Sequence, residues 1–204
     1  NLDTKPLGDP KLIKFTTGRR RKQWYKNVVA VGLSSGFLEP LESTSIHLIQ
    51  SAIVRLIQLF PHNGFAPSLE TEYNKQSELE FEQIRDFLVL HYTVNERTDS
   101  AFFNDMRNIT LPDSLAHKIA LFKESGNLLR EQNDLFLESS WLQVLYGQGI
   151  TPKDYHGLVN SVPEVQLNQM LTRLLEIKKE PIAKLPTHDE YINGMVAKYK
   201  RAMS

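Results

Sequence analysis

The spacing of apolar positions along this chain changes near residue 43. Before it, "KLIKFTTG" alternates Leu12, Lys14 and Thr16 with Ile13, Phe15 and Thr17, and Gly18 offers a turn. A period of two predicts an extended segment. "NVVAVGL", Asn27 to Leu33, is short, β-branched and apolar, which predicts a strand covered on both faces. After Thr44 or Ser45 the spacing lengthens to three and four. Ile46, Ile49, Ile53, Leu56, Ile57 and Phe60 predict a helix closed by Pro61. A longer helix is predicted over residues 68–92, with Phe81, Ile84, Phe87, Leu88 and Tyr92 on its buried stripe. Shorter helices are predicted over 100–108, 112–123 and 135–146, the last stopped by "GQG". Two more, over 163–179 and 187–202, flank the breaker "EPIAKLP". The first carries Val165, Leu167, Met170, Leu171, Leu174 and Leu175, a stripe suited to packing against the long helix.

The predicted class is therefore mainly α, with two N-terminal strands followed by a helical module. Two strands alone make a marginal sheet. Their expected partners lie N-terminal to Asn1, and the chain starts without an initiator methionine, so a segment of a longer protein is expected. The division falls at 1–45, the end of that sheet with its loop, and 46–204, the helical module.

Composition narrows the function classes. With 41% hydrophobic and 24% charged residues, the 204-residue chain has the make-up of an ordinary globular protein. Twenty-four basic residues balance 24 acidic ones, so total charge argues for neither nucleic acid nor an anionic membrane as partner. The run Arg19-Arg20-Arg21-Lys22 is local; it reads as a solvated strand end, with phosphate contact as the alternative. Absence of cysteine removes disulfides, thiolate ligands and a cysteine nucleophile. No run approaches the ~18 apolar residues of a membrane span, and "NLDTKPLGDPK" has no signal-peptide core. A cytoplasmic setting is expected.

Candidate chemistry concentrates in "GLSSGFLEPLESTSIHLIQ", Gly32 to Gln50. A helix starting near Thr44 leaves backbone N–H groups that Ser43, Thr44 and Ser45 cannot all satisfy. Free N–H groups on a positive helix end attract an anion or developing negative charge. Glu39-Pro40-Leu41-Glu42 sets two carboxylates beside that point, with Pro40 stiffening the turn. The bland alternative is an acidic cap with incidental serines. His91 reads as a satisfied core or boundary residue, Trp24 and Trp141 as packing anchors, and Tyr155-His156 follow a turn. Gly147-Gln148-Gly149 comes late, after a predicted helix, and reads as a helix stop rather than a phosphate cradle. No spacing of His, Asp or Glu suggests a metal site.

The stretch from Trp24 to Ile46, "WYKNVVAVGLSSGFLEPLESTSI", closely resembles the flavin-dependent halogenases of the tryptophan halogenase family. The similarity is long over Gly18–Pro61 and weaker through "WLQVLYGQGITPKDYHGLV", Trp141 to Val159. The resemblance implies a flavin-monooxygenase-like domain carrying a helical substrate module. It implies that reduced FAD, supplied by a separate flavin reductase, and oxygen oxidise chloride or bromide to hypohalous acid. That oxidant then travels to a lysine beside an electron-rich aromatic substrate. Carried over, Glu42 stabilises the cationic ring intermediate or accepts its proton, and Ser43 assists positioning. The backbone N–H groups of Thr44 and Ser45 hold the halide, and Gly36, Phe37, Leu38, Glu39 and Pro40 lie against the flavin. Tryptophan-specific members usually carry glycine where Ser45 stands. The dinucleotide fingerprint and the lysine with its WxWxIP signature are absent from this stretch, so it is expected to be inactive alone and to work with the N-terminal FAD-binding part.

For the substrate, the resemblance places Glu131 and Phe136 in the region that clamps free tryptophan, but only the glutamate of that clamp persists. An indole, phenol or related aromatic is favoured over free tryptophan, and Phe136 reads equally as a core residue. A homodimer is compatible with this reading. The alternatives are a related flavin monooxygenase without halogenation, or a non-catalytic helical interaction domain.

Overall fold

A computed structural model describes residues 7–131 and 134–203. The chain divides into two compact units, Asn1–Asp154 and Tyr155–Ser204. The first begins with four two-residue strands. β1 (Gly18–Arg19) pairs antiparallel with β4 (Gly36–Phe37), and β2 (Trp24–Tyr25) with β3 (Val28–Val29). Five helices follow: α1 (Ser45–Gln58), α2 (Pro67–Thr93), α3 (Ala101–Met106), α4 (Asp113–Ser125) and α5 (Glu138–Gly147).

The extended region departs from its predicted form. "NVVAVGL" is not one strand covered on both faces. Lys26, at φ 55°, turns the chain so that Val28 pairs back on Tyr25, and Val28 is exposed. Gly32, at φ 64°, then ends the extended run in a 3-10 turn over Gly32–Ser34. The predicted strand over "KLIKFTTG" shrinks to Gly18–Arg19; Leu12 and Ile13 stay exposed, while Phe15 meets Phe37 edge to face at 4.9 Å. What fixes this corner is α2. The Asn74 side chain accepts from the Gln23 and Trp24 amides at 2.7 and 2.9 Å and donates to the Trp24 carbonyl at 2.8 Å. Trp24 itself is buried against Tyr73. The basic run is partly tied down as well, since Arg19 pairs with Glu78 and Lys22 with Glu70.

α2 is the spine. Its residues Phe81, Ile84 and Leu88 form one core cluster with Leu48 of α1. Phe87 and Leu90 form another with Leu115, Ile119 and Phe122 of α4 and Trp141 and Leu145 of α5. Each fully buried side chain of this size stabilises by roughly 1.5–3 kcal/mol. The predicted stripe of α2 is thus buried, apart from Tyr92, which is half-buried. α1 differs: it buries Leu48, Ala52 and Arg55, whereas Ile46, Ile53 and Ile57 are 70%, 45% and 69% exposed. Arg55 enters the interior because Glu80 and Ser77 meet its guanidinium at 2.8 and 2.5 Å, which satisfies a charge that would otherwise be costly to bury. α4 ends on Gly126 in the left-handed conformation, and "GQG" ends α5.

The second unit holds α6 (Glu164–Lys184) and α7 (His188–Met203). α6 runs through the predicted breaker: Pro181 forfeits one backbone hydrogen bond, and the helix continues to Lys184. α7 opens with a reciprocal cap, Glu190 accepting from the Thr187 amide at 2.8 Å while Thr187 Oγ1 accepts from the Glu190 amide at 3.3 Å. No residue of α6 is buried, its apolar stripe included. Among the described residues no helix is long and apolar enough to cross a membrane.

Candidate active site

The loop between β4 and α1 is built by an uncommon backbone. Glu42 and Ser43 are consecutive non-glycine residues at φ 64° and 51°, inside and at the end of a 3-10 turn over Leu41–Ser43. A left-handed conformation costs an ordinary residue roughly 1–2 kcal/mol, and such outliers gather at functional sites. The turn is closed by the Ser43 amide donating to the Pro40 carbonyl at 2.9 Å. Its consequence is direction: Glu42 leaves the turn toward the C-terminal end of α2, while Thr44 turns inward and is buried.

Against the loop lies a small cleft of about 50 Å³, lined by Gly32, Leu33, Gly36, Phe37, Leu38, Thr44, Ser45, Leu48 and Ile49. Five residues singled out from the sequence, Gly36, Phe37, Leu38, Thr44 and Ser45, thus meet around one space. Gly36 is obligatory there, because a Cβ would stand 2.7 Å from the Gly18 carbonyl oxygen and 2.9 Å from a Phe81 ring carbon. No side chain caps the start of α1, so the expected capping by Ser43, Thr44 or Ser45 is not made. The first intrahelical bond from the cap is Leu48 N–H to the Thr44 carbonyl, at 3.0 Å. The amides ahead of Leu48 lack intrahelical acceptors, the arrangement that favours an anion.

Two neighbouring residues of α2 meet the two glutamates. Tyr92 Oη donates to Glu39 Oε2 at 2.7 Å, and His91 Nε2 lies 3.2 Å from Glu42 Oε1. Burial, followed by the Glu39 carboxylate, pushes the Tyr92 hydroxyl up to about 12. Glu39 Oε1 is buried and has no hydrogen-bond partner among the described residues. The sequence pattern places His91 and Tyr92 in packing roles only. Nothing local to them signals the contact, which depends on α2 returning to a loop far back along the chain.

Glu131 and Phe136 stand elsewhere in the same unit. Glu131 is exposed and pairs with Lys118 at 3.3 Å. Phe136 stacks on Phe87 with ring centroids 3.9 Å apart, and the Phe87 ring also meets His91 edge-on. Phe136 is therefore part of the core wall behind His91. Trp24 and Trp141 are both buried, the packing role expected of them. His156 accepts from the Leu158 amide at 3.3 Å at the start of a short 3-10 turn in the second unit.

The fold of this chain is shared with solved flavin-dependent halogenases. Xcc4156, a flavin-dependent halogenase from Xanthomonas campestris, superposes with a TM-score of 0.88 at 44% identity, over 95% of this chain and 39% of that one. BrvH, a flavin-dependent halogenase from Brevundimonas sp. BAL3, gives 0.84 at 41% identity, over 93% of this chain and 38% of that one. A model of the tryptophan halogenase family matches residues 1–164, and the chain belongs to that family. Tryptophan 6-halogenase SttH of Streptomyces toxytricini is 38% identical over 141 residues, 67% of this chain and 27% of its own length. Tryptophan 7-halogenase RebH of Lentzea aerocolonigenes is 27% identical over 207 residues, 93% of this chain and 38% of its own length. The chain thus spans between 27% and 39% of the length of these relatives.

Proposed function

We propose that this chain is the C-terminal part of a FADH2-dependent halogenase that places chlorine or bromine on an electron-rich aromatic ring. Residues 1–45 finish the sheet of the flavin domain and residues 46–204 form the substrate module. The observation that carries the reading is the Glu42 turn, which leads into an uncapped helix start and carries a carboxylate met by α2.

The residues present suit a reduced flavin and a halide. The amides at Thr44 and Ser45 supply anion donors beside the cleft, and Gly36, Phe37 and Leu38 line it, with Glu39 and Pro40 following directly in the chain. The orphaned Glu39 Oε1 is an acceptor matched to one N–H donor of a flavin ring. When bound, the flavin supplies, with oxygen, the two-electron oxidation of halide. The chain's own residues then act on the substrate. Once an electrophilic halogen has bonded to a ring carbon, the ring carries positive charge, and the Glu42 carboxylate lowers its energy. The same carboxylate accepts the ring proton, restoring aromaticity. Ser43 steadies the turn that aims Glu42. Glu131 and Phe136 are the residues proposed to reach the substrate, which we take to be an indole, a phenol or tryptophan itself. A flavin reductase would feed the whole protein, in the cytoplasm and as a possible homodimer.

The test is the full-length protein with a flavin reductase, halide and a panel of indoles and phenols, read by mass spectrometry. Halide-dependent isotope patterns are expected in the products, and Glu42→Gln should lower their formation by about 10²–10⁴-fold. Oxygenated products without halogen would favour the monooxygenase alternative. Unchanged halogenation by Glu42→Gln would remove the role given to that carboxylate.

A further inference from the structure

We propose that His91 is the positioning residue of Glu42 and the acceptor of the proton that Glu42 collects. This rests on the halogenase reading above and deepens it at the same site.

The geometry assigns the tautomer. His91 Nδ1 lies 2.8 Å from the Phe87 carbonyl oxygen, which can only accept, so the proton of the neutral ring sits on Nδ1. Nε2 is then the basic nitrogen, and it faces Glu42 Oε1 at 3.2 Å. A neutral imidazole and a carboxylate present lone pairs to each other, and their contact becomes a hydrogen bond only when one more proton lies between them. The arrangement is a seat for a proton that arrives. His91 is also held still: its ring meets Phe87 edge-on at 4.8 Å, and Phe87 is buried between Phe136 and Trp141. Its side chain is 19% exposed against 36% for Glu42, so the carboxylate reaches the open side while the imidazole stays behind it.

The sequence of bonds follows. A halogen electrophile, of the hypohalite or haloamine class, has already bonded to the ring carbon. The ring C–H bond breaks and its electron pair closes the aromatic sextet. The proton forms an O–H bond on Glu42, passes to Nε2 as an N–H bond, and leaves from the imidazolium to water. Glu42 is again a carboxylate for the next turnover. Such a base–orienter pair is the arrangement by which a carboxylate is both aimed and relieved of its proton.

Two variants of the full-length protein test this. His91→Phe keeps the ring against Phe87 and removes both nitrogens. His91→Gln keeps a donor for Glu42 but takes up no proton. With an aromatic substrate deuterated at the halogenated carbon, the wild-type protein should show little rate difference between light and heavy substrate. Both variants should turn over roughly 100-fold more slowly, the low end for a lost proton-transfer partner, with KM little changed and a clear slowing by deuterium. A residue that only supports the fold would not create that isotope effect. Imidazole 15N NMR supplies a readout without turnover: His91 should be the Nδ1-protonated tautomer, and Glu42→Gln should move its Nε2 resonance. Wild-type turnover in either variant, slow turnover without an isotope effect, or an Nε2-protonated ring in the neutral state would overturn the proposal. A wild-type protein that halogenates nothing would instead overturn the halogenase reading.

Discussion

Tyr92→Phe isolates the contact that anchors the glutamate loop. Tyr92 makes the only protein hydrogen bond to Glu39 found among the described residues, at 2.7 Å, and the other oxygen of that carboxylate is buried and unpaired. Deleting the hydroxyl therefore leaves Glu39 with neither oxygen satisfied by the protein. A hydrogen bond to a charged group is worth about 1.5–3 kcal/mol. For a chain of this size each kcal/mol moves the melting temperature by about 2–4 °C, so a fall of about 3–12 °C is expected. Glu39→Gln introduced alongside should recover part of it, because a neutral amide costs less to leave unpaired. The pH dependence carries a second signature. The Tyr92 hydroxyl is pushed up to about 12 in the folded protein, chiefly by burial and then by Glu39, against 10.0 ordinarily. A group raised in the folded state stabilises fully below its unfolded value, and that contribution disappears as pH climbs from 10 through 12. The shift would amount to ~2.7 kcal/mol without screening, and to ~1 kcal/mol for a partly solvated hydroxyl. Tyr92→Phe should flatten the loss of stability over that window. It should also diminish the late-titrating tyrosine absorbance, leaving the contribution of Tyr73, which burial also raises. Denaturation curves of the two proteins that coincide at pH 8 and lose stability equally between pH 10 and 12 would refute the reasoning.

Gly36→Ala should destabilise by about 1–3 kcal/mol, since the new methyl carbon meets Gly18, Arg19 and Phe81 below 3.0 Å; equal melting temperatures would show that β1 and β4 can part freely. Glu80→Ala should cost about 3–5 kcal/mol by stranding the Arg55 charge, as both residues are 8% exposed. The double change Arg55→Met with Glu80→Leu should recover most of that loss in urea denaturation, and its failure to do so would mean that packing, not charge, holds this pair.

Much of the helical body is legible in the order of residues. The long helix is predicted over 68–92 and found over Pro67–Thr93, because a sustained 3.6-residue stripe is a local signal. The loop was legible for a different reason: "EPLEST" sits between an apolar run and a helix, and its resemblance to a known family extends over many residues. Ile46, Ile53 and Ile57 have the right period and stay exposed, since period says that a face is apolar and does not say what covers it. "NVVAVGL" reads as a buried strand, but Lys26 and Gly32 adopt left-handed angles that cut it into a hairpin arm and a turn.

By itself, then, the sequence determined the helices, the glutamate turn and the family. Tertiary structure decided what the two glutamates face. Glu39 meets Tyr92 and Glu42 meets His91 because α2 carries these adjacent residues back to the loop. Successive residues of a helix point about 100° apart, so one pair of neighbours can address two different carboxylates. No pattern within either segment encodes that meeting, which depends on the packing of α1 and α2 around Leu48, Phe81, Ile84 and Leu88.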